Sequence, residues 1–439
     1  MPENKFANHK VEVLYLSYDG LTDPLGQSQI LPYLAGLSAK GYAITVISAE
    51  KADNFAKRNE QIAHVAGSHG IGWQPIVYTK RPPVLSTLWD LNKMYRLALR
   101  LHRNHRFSLV HCRSYLTALL GLRLKERYGL KFIFDMRGFW ADERVEGGLW
   151  NLNNPLFKRI FHYFKRREAD FFRHADYTIS LTHEGKQIIG QRPGLAGIPI
   201  QVIPCCVDTQ LFALPKKQKV KVLGRVGQHL DDRGQQGSAL PDDEPLDAHH
   251  PAGTAMHPPY ALSYLGSVGT WYMLDEMLRF FRRLLHHRPE ARFLFITPDN
   301  PRAIYEKAVL LGIPPGKIDV RPAERKEVPA LLAQSQFSLF FIKPCFSKKA
   351  SSPTKMGEVL AMGLPVICNA GVGDTDYIVE KYGVGAAVDA FTDAAFDEAI
   401  ARMESLSQLP PEHFRQAALD YFDLQKGIAL YHSVYQKLA

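Results

Sequence analysis

Residues 337–368 read FSLFFIKPCFSKKASSPTKMGEVLAMGLPVIC. The stretch opens on an apolar run, 337–342, interrupted by Ser338, and passes through a loop carrying Lys343, Lys348 and Lys349. It closes on a second apolar run, 365–368. Between them, 354–362 has helical periodicity. Pro353 suits the first helical position, and Ser351 or Ser352 before it suits a cap. Strand, helix and strand within about 30 residues make a βαβ unit. The apolar runs are continuous rather than alternating, which is the mark of parallel strands buried on both faces.

The same pattern extends in both directions. Strands are expected at 11–17 (VEVLYLS), 42–48 (YAITVIS), 108–112, 131–135, 177–181 and 200–203 in the first half. In the second half they are expected at 261–265, 292–296, 318–321, 337–342, 365–368 and 385–388. Helical patterns lie between them, including 26–40, 91–102, 115–127, 273–287, 328–334 and 354–362. Repeated strand–helix–strand units imply two doubly wound, Rossmann-like α/β domains, although no internal sequence repeat is visible. Open sheets of this kind bind ligands beyond the carboxyl ends of their strands. If those ends face each other, the site is the cleft between the domains.

The segment 228–259 is different material. It holds five Pro, three Gly and six acidic residues, with no aromatic, Val or Ile. It lacks the apolar residues to bury a core and reads as a surface insertion, its His249, His250 and His257 as solvated side chains. The expected division is an N-terminal domain at 1–210 and a linker at 211–260 around that insertion. A C-terminal domain follows at 261–405, then a helical tail at 406–439. The tail's Phe414, Tyr421, Phe422, Tyr431 and Tyr435 would pack it back onto the domains.

Composition narrows the function. A chain of 439 residues is too long for one ordinary domain. Its 46% hydrophobic and 22% charged residues exclude wholesale disorder and a coiled coil. No run of apolar residues is long enough for a membrane span, and the first residues lack a basic start followed by an apolar core. A cytoplasmic location is therefore expected. Fifty-four Lys and Arg against 44 Asp and Glu give +10, which suits anionic partners: nucleotide phosphates, an anionic membrane face or nucleic acid. No nucleic-acid module motif accompanies the charge, so nucleic acid is not expected as a partner. The five cysteines (Cys112, Cys205, Cys206, Cys345, Cys368) show no CxxC spacing and read as reduced thiols, not a zinc site.

Four loops after strands carry candidate chemistry. At 351–358 a helix start offers free N–H groups and positive dipole to a phosphate. Lys355 adds a cation in the first turn, where a cation is unfavourable unless an anion binds. Ser352 and Thr354 flank it, and Glu358 lies one turn on, placed either to grip a ribose diol or to fold back in a capping box. At 371–374, Gly371, Val372, Gly373 and Asp374 form a loop whose glycines admit a close ligand. Asp374 reads as a helix N-cap, or as part of a D-x-D with Asp376. At 19–27, Gly20 and Gly26 lie in a loop that lacks a dinucleotide fingerprint; it is a plain connection or a flap. At 134–144 (FDMRGFWADER), Arg137 is placed for a bidentate grip on phosphate or carboxylate, or for a structural ion network. Outside these loops, 156–174 (LFKRIFHYFKRREADFFRH) interleaves six basic with six aromatic residues. Its stripe Phe157, Ile160, Phe161 and Phe164 reads as a core helix with a basic outer face, or as a docking helix for an anionic membrane.

Together, DGLTDPLGQSQILPYL, FDMRGFWADERVEGG, VIPCCVD, LSYLGSVGTW and SSPTKMGEVLAMGLPVICNAGVGD resemble the retaining GT-B glycosyltransferases of family 4, also called glycosyl transferases group 1. The resemblance covers nearly the whole chain except 228–259. It implies two Rossmann-like domains facing across a cleft and transfer of a sugar from a nucleotide-sugar donor with retained configuration. No cofactor or metal is expected with it. It also implies roles: Glu358 for the donor ribose, Ser352, Thr354 and Lys355 at the diphosphate, and Gly371 to Asp374 beside the donor sugar. The loop of Gly20 and Gly26 would close over sugar and phosphate, and the tail helix would cross to the first domain. Three positions depart from the family pattern. Ala350 stands where the first of two paired glutamates belongs, and Arg137 stands for a histidine. Residues 266–271 (GSVGTW) replace a basic pair, for which Lys343, Lys348 or Lys349 is a substitute.

The resulting expectation is a hexosyltransferase-type enzyme with Arg137, Lys343 and Lys355 as its catalytic cations. Its acceptor would be a saccharide or polyprenyl-linked saccharide in bacterial surface polysaccharide synthesis, reached from the inner membrane face. A nucleotide-sugar epimerase and a non-catalytic nucleotide-sugar binder are the alternatives.

Overall fold

The computed structural model describes residues 10–214 and 259–439. The insertion expected at 228–259, with its histidines, lies outside the described residues up to Pro258. The N-terminal sheet contains β1 (Glu12–Ser17), β2 (Ala43–Glu50), β3 (Gly72–Val77), β4 (Leu109–Arg113), β5 (Lys131–Asp135), β6 (Tyr177–Ser180) and β7 (Ile200–Val202). The C-terminal sheet contains β8 (Tyr260–Leu265), β9 (Phe293–Ile296), β10 (Ile318–Arg321), β11 (Ser335–Phe340), β12 (Val366–Asn369) and β13 (Gly385–Val388). The orders are β3-β2-β1-β4-β5-β6-β7 and β10-β9-β8-β11-β12-β13, with every pairing parallel. Counted from each sheet's first strand, the two orders are the same through six strands. The halves thus repeat one topology that their sequences do not show.

Burial explains the strands. β4 and β8 are buried at every position, as strands covered on both faces must be. β3 is the exception: it lies on the sheet edge, contains Pro75 and has no buried residue. An edge tolerates the N–H that proline lacks.

Chain order reverses between β1 and β4 and again between β8 and β11. Loops that leave neighbouring strands there diverge and open a crevice.

Two helix readings change. The pattern at 26–40 is two helices, Pro24–Gln29 and Leu31–Ala39, broken at Ile30 (φ −125°, ψ −65°) ahead of Pro32. The helix after the basic loop is Thr354–Ala361; Pro353 is its N-cap and no side chain caps it. Neither serine serves as cap, because the chain at 351–352 is drawn towards the other domain.

The tail is two helices. Pro411–Tyr421 lies on the C-terminal domain against Thr354–Ala361. Leu424–Leu438 crosses to the N-terminal domain and packs on Leu31–Ala39. There the Tyr435 hydroxyl hydrogen-bonds His111 Nδ1 at 2.8 Å, and Tyr431 donates to Asp135 Oδ2 at 3.0 Å. Phe414, Phe422, Tyr431 and Tyr435 are buried and Tyr421 is partly so. Helix Pro155–His174 buries Phe164, Glu168, Phe171 and Phe172. Phe157, Ile160 and Phe161 are only half-buried, while Leu156 and Tyr163 are 55% and 40% exposed.

Candidate active site

The loops at the strand ends are fastened individually. Asn369, the last residue of β12, accepts from Ile342 N–H at 2.7 Å and donates to Ile342 O at 2.9 Å, tying the ends of β11 and β12. Asp299, beyond β9, accepts from Ser267 Oγ at 2.7 Å and Val268 N–H at 2.6 Å, which holds the loop after β8. In the N-terminal domain, Glu50 is buried at the end of β2 and accepts from Leu21 N–H (2.7 Å), Thr22 N–H (3.1 Å), Thr22 Oγ1 and Ser48 Oγ. A Cβ on Gly26 would lie 2.1 Å from Gly20 O, so this loop folds on itself only because both residues are small. It is a fastened loop in this structure.

Helix Thr354–Ala361 begins beyond β11, one of the two strands at which the chain order reverses. Lys355, in its first turn, is buried, and no described group hydrogen-bonds its Nζ. Nζ instead lies 3.6 Å from the ring centre of Tyr272 and 4.1 Å from that of Tyr264. Burial pushes the Lys355 amine well below its usual range, and the charge of Glu358 opposes the shift. Glu358 is buried one turn further and accepts from Arg325 Nη1 at 2.7 Å, and Arg325 lies over the Phe212 ring. Burial raises the Glu358 pKa against the pull of Arg325. The capping-box alternative is not formed: this carboxylate is engaged sideways, by a residue from beyond β10.

The other candidates meet across the cleft. Ser352 Oγ accepts from Cys205 N–H at 3.1 Å, and Arg137 Nη2 donates to Cys205 Sγ at 3.2 Å. Arg137 adopts φ +58° and also faces Asp135 at 3.7 Å. Burial disfavours the Asp135 charge, but Arg137, then His111 and Arg113, outweigh it and hold the carboxyl at about 2. Arg137 therefore takes part in a structural ion network as well as facing the cleft. Asp374 does not cap its own helix. Its carboxylate accepts from His183 N–H (2.7 Å), Glu184 N–H (3.1 Å) and Tyr421 O–H (2.5 Å), capping an N-terminal-domain helix from across the interface. Gly373 allows this approach, since a Cβ there would lie 2.8 Å from Thr182 Cγ2 across the interface. Val372 is buried in the C-terminal core, and Gly371 is exposed. Thr354 is half-buried at the helix start.

The basic loop is already paired. Lys348 Nζ lies 2.8 Å from Glu143 and over the Trp271 ring, and Lys349 lies 2.8 Å from Glu184. Lys343 is exposed and donates to Glu146 O at 3.3 Å. Ser352, Gly373 and Asp374 are thus brought to one interface with Arg137. Lys355 and Glu358 lie together on one helix, and Gly20 and Gly26 share a separate loop. Tyr264, Tyr272, Arg325, Glu143 and Cys205 complete the cluster, and the sequence reading gave none of the five a role. A cavity of about 460 Å³ on the C-terminal domain, lined by Arg282, Arg283, His286, Leu311, Gly312 and Asp393, shares no residue with this cluster. Its Arg283 is already paired with Asp397. Among the described residues no group of His, Cys, Asp and Glu is arranged to hold a metal ion.

The sequence model of glycosyltransferase family 4 matches residues 29–211. Residues 29–211 thus have the sequence pattern of a glycosyltransferase family 4 domain. Solved structures similar to the whole chain include sucrose-phosphate synthase from Thermosynechococcus elongatus, at 12% identity and TM-score 0.67, covering 98% of this chain and 99% of that one. A glycosyltransferase from Rickettsia africae ESF-5 aligns at 13% identity and TM-score 0.64, covering 98% and 99%. UDP-GlcNAc 2-epimerase from Neisseria meningitidis, bound to UDP-GlcNAc, aligns at 12%, TM-score 0.54, covering 97% and 100%. At these identities the likeness establishes the fold, which is GT-B. No curated protein matches the chain.

One departure from the family 4 pattern has a physical cause here. Ala350 is fully buried and packs into the core of the family 4 domain. A Cβ on Gly185 would lie 2.9 Å from the Ala350 Cβ. A glutamate at 350 would have no room while the domains meet as they do.

Proposed function

We propose that this glycosyltransferase moves a sugar, with retained anomeric configuration, from a nucleotide-sugar donor to a saccharide or polyprenyl-linked saccharide. The observation that carries the reading is Lys355: a buried amine at the N-terminus of Thr354–Ala361 whose Nζ has no hydrogen-bond partner among the described residues. Such a pairing of helix dipole and free cation favours an anion of high charge. A donor diphosphate fits it, with Ser352 and Thr354 beside the phosphates and Glu358 reaching the ribose.

In the step proposed, the bond between the anomeric carbon and the diphosphate oxygen breaks. The acceptor hydroxyl oxygen forms the new bond on the same face, and its proton passes to the departing phosphate. Charge on the leaving group is the main barrier, so cations fixed beforehand lower it. Lys355 faces that charge directly. Arg137 from the opposite domain and Lys343 from the basic loop are the further cations assigned to it.

The setting proposed is bacterial surface polysaccharide synthesis at the inner face of the cell membrane. Exposed Leu156 and Tyr163 lie on helix Pro155–His174 together with Lys158, Arg159 and Arg166, which supports its peripheral docking on anionic lipid. No described helix is long and apolar enough to cross a membrane.

The test is incubation with UDP-, GDP- and ADP-sugars, with and without a polyprenyl-diphosphate-linked saccharide, read by mass spectrometry and proton NMR. Acceptor-dependent product with the donor's anomeric configuration is expected. Conversion of donor alone would favour an epimerase, a reading that the epimerase likeness keeps in view. Binding without either reaction would favour a non-catalytic binder. Failure to float with anionic vesicles at low salt would remove the membrane contact.

A further inference from the structure

Two lysines of the loop before helix Thr354–Ala361, and the arginine beside Glu358, are already paired. Arg325 is paired with Glu358, Lys348 with Glu143 and Lys349 with Glu184. Lys355 Nζ has no hydrogen-bond partner among the described residues and lies against two aromatic faces. The two tyrosines reach it from opposite ends of one loop, and each is separately fastened. Tyr264 lies within β8, and its hydroxyl donates to Ser267 O. Tyr272 bridges Ile342, while Met273 N–H bonds Phe341 O at 3.0 Å and Lys343 N–H bonds Trp271 O at 2.9 Å. The end of β11 therefore sets where the Tyr272 ring lies. Between them Gly266, at φ +111°, leaves the space: a Cβ there would lie 3.2 Å from Lys355 Nζ.

We propose that Tyr264 and Tyr272 are positioning residues, an aromatic cage that keeps Lys355 as an uncommitted cation for the donor's diphosphate. The proposal rests on the donor-site reading above. An aromatic face attracts an ammonium through its quadrupole yet supplies no lone pair for a phosphate to displace. A carboxylate in the same place would have to be broken from the lysine before each donor bound, as the partners of Lys348 and Lys349 would. The cage also fixes the long side chain in advance, so less ordering is left for the moment of binding. The ring matters and the Tyr272 hydroxyl does not. In this loop the cage takes the place of the basic pair that family 4 resemblance leads one to expect at 266–271.

The test is calorimetric titration of UDP, GDP and ADP, and separately of their nucleosides, into wild type, Tyr272→Phe, Tyr272→Leu and Lys355→Met. For the diphosphate that binds, Tyr272→Phe should match wild type. Tyr272→Leu should bind it roughly tenfold more weakly with nucleoside affinity unchanged. If Tyr272→Leu melts well below wild type, Tyr272→Met replaces it, filling the volume without an aromatic face. Wild-type diphosphate affinity in the non-aromatic variant, with loss in Lys355→Met, overturns the cage and leaves the donor site standing. Equal loss for nucleoside and diphosphate also overturns the cage. If Lys355→Met binds as wild type, or no diphosphate binds wild type, the donor-site reading itself falls and the cage with it.

Discussion

Lys355 is a side chain held against its own stability. Its folded pKa lies well below the ordinary lysine value because burial penalises the ammonium. Between the folded and unfolded values the unfolded chain binds more protons, so in that window stability rises with pH. Replacing it with an isosteric apolar side chain removes the penalty. Lys355→Met should therefore stabilise the unliganded protein by roughly 1–3 kcal/mol near neutral pH, measured by urea unfolding, while donor affinity collapses. A variant that loses stability in step with binding would make Lys355 structural. An arriving diphosphate opposes the shift and raises the amine's affinity for its proton. Donor binding at pH above the depressed value should then take up a proton, seen as a calorimetric enthalpy that varies with the ionisation heat of the buffer; the same enthalpy in every buffer would contradict it. Glu358 makes a separate prediction. Its alanine variant should bind donor far more weakly while folding normally, since Arg325 has water within reach. Unchanged donor affinity would remove Glu358 from the site.

At the scale of elements, the interface is a set of mutual caps. The loop after β12 caps helix His183–Gly190 through Asp374, and Glu146 accepts the N–H groups of Phe346 (3.0 Å) and Ser347 (2.9 Å). Asp374→Asn exchanges charge-assisted bonds for weaker ones and should lower stability by about 1.5–3 kcal/mol, read from the denaturant midpoint. A shift within error would mean that the cap is idle in solution. Most strands were legible in the sequence because parallel strands buried on both faces write themselves as unbroken apolar runs. β3 was not, because an edge strand carrying Pro75 needs no such run. The helix start at 354 was legible from Pro353 and the apolar spacing after it, so Lys355 and Glu358 could be found there. Tyr264, Tyr272 and Arg325 could not, because each sits on a different strand or loop and meets helix Thr354–Ala361 only through the order β10-β9-β8-β11. Asp374 was legible as a capping residue. The helix it serves belongs to the other domain, and no local pattern records that.

For the whole molecule, the same strand order is used twice, and the two sets of strand ends are turned towards each other. The proposed donor site is one half of that surface, and Arg137 belongs to the other half. Polar contacts span the gap: Lys348 to Glu143, Lys349 to Glu184, and Thr182 Oγ1 to Lys349 O at 2.8 Å. Phe139 stacks on Phe346 at 4.8 Å. Ala350 lies in the same seam, so Ala350→Glu should force the domains apart, measured as a larger radius of gyration by small-angle scattering. An unchanged radius would show that the seam accommodates a carboxylate. The central claim is that the chain binds a nucleotide-sugar through the N-terminus of Thr354–Ala361. Its most direct test is thermal melting of wild type and Lys355→Met against UDP, GDP, ADP, CMP and their common sugars. A ligand that binds the folded state raises its melting temperature. The account predicts a selective rise with one nucleotide family in wild type and none in Lys355→Met. No rise with any of them in folded wild type, or the same rise in both proteins, would contradict it.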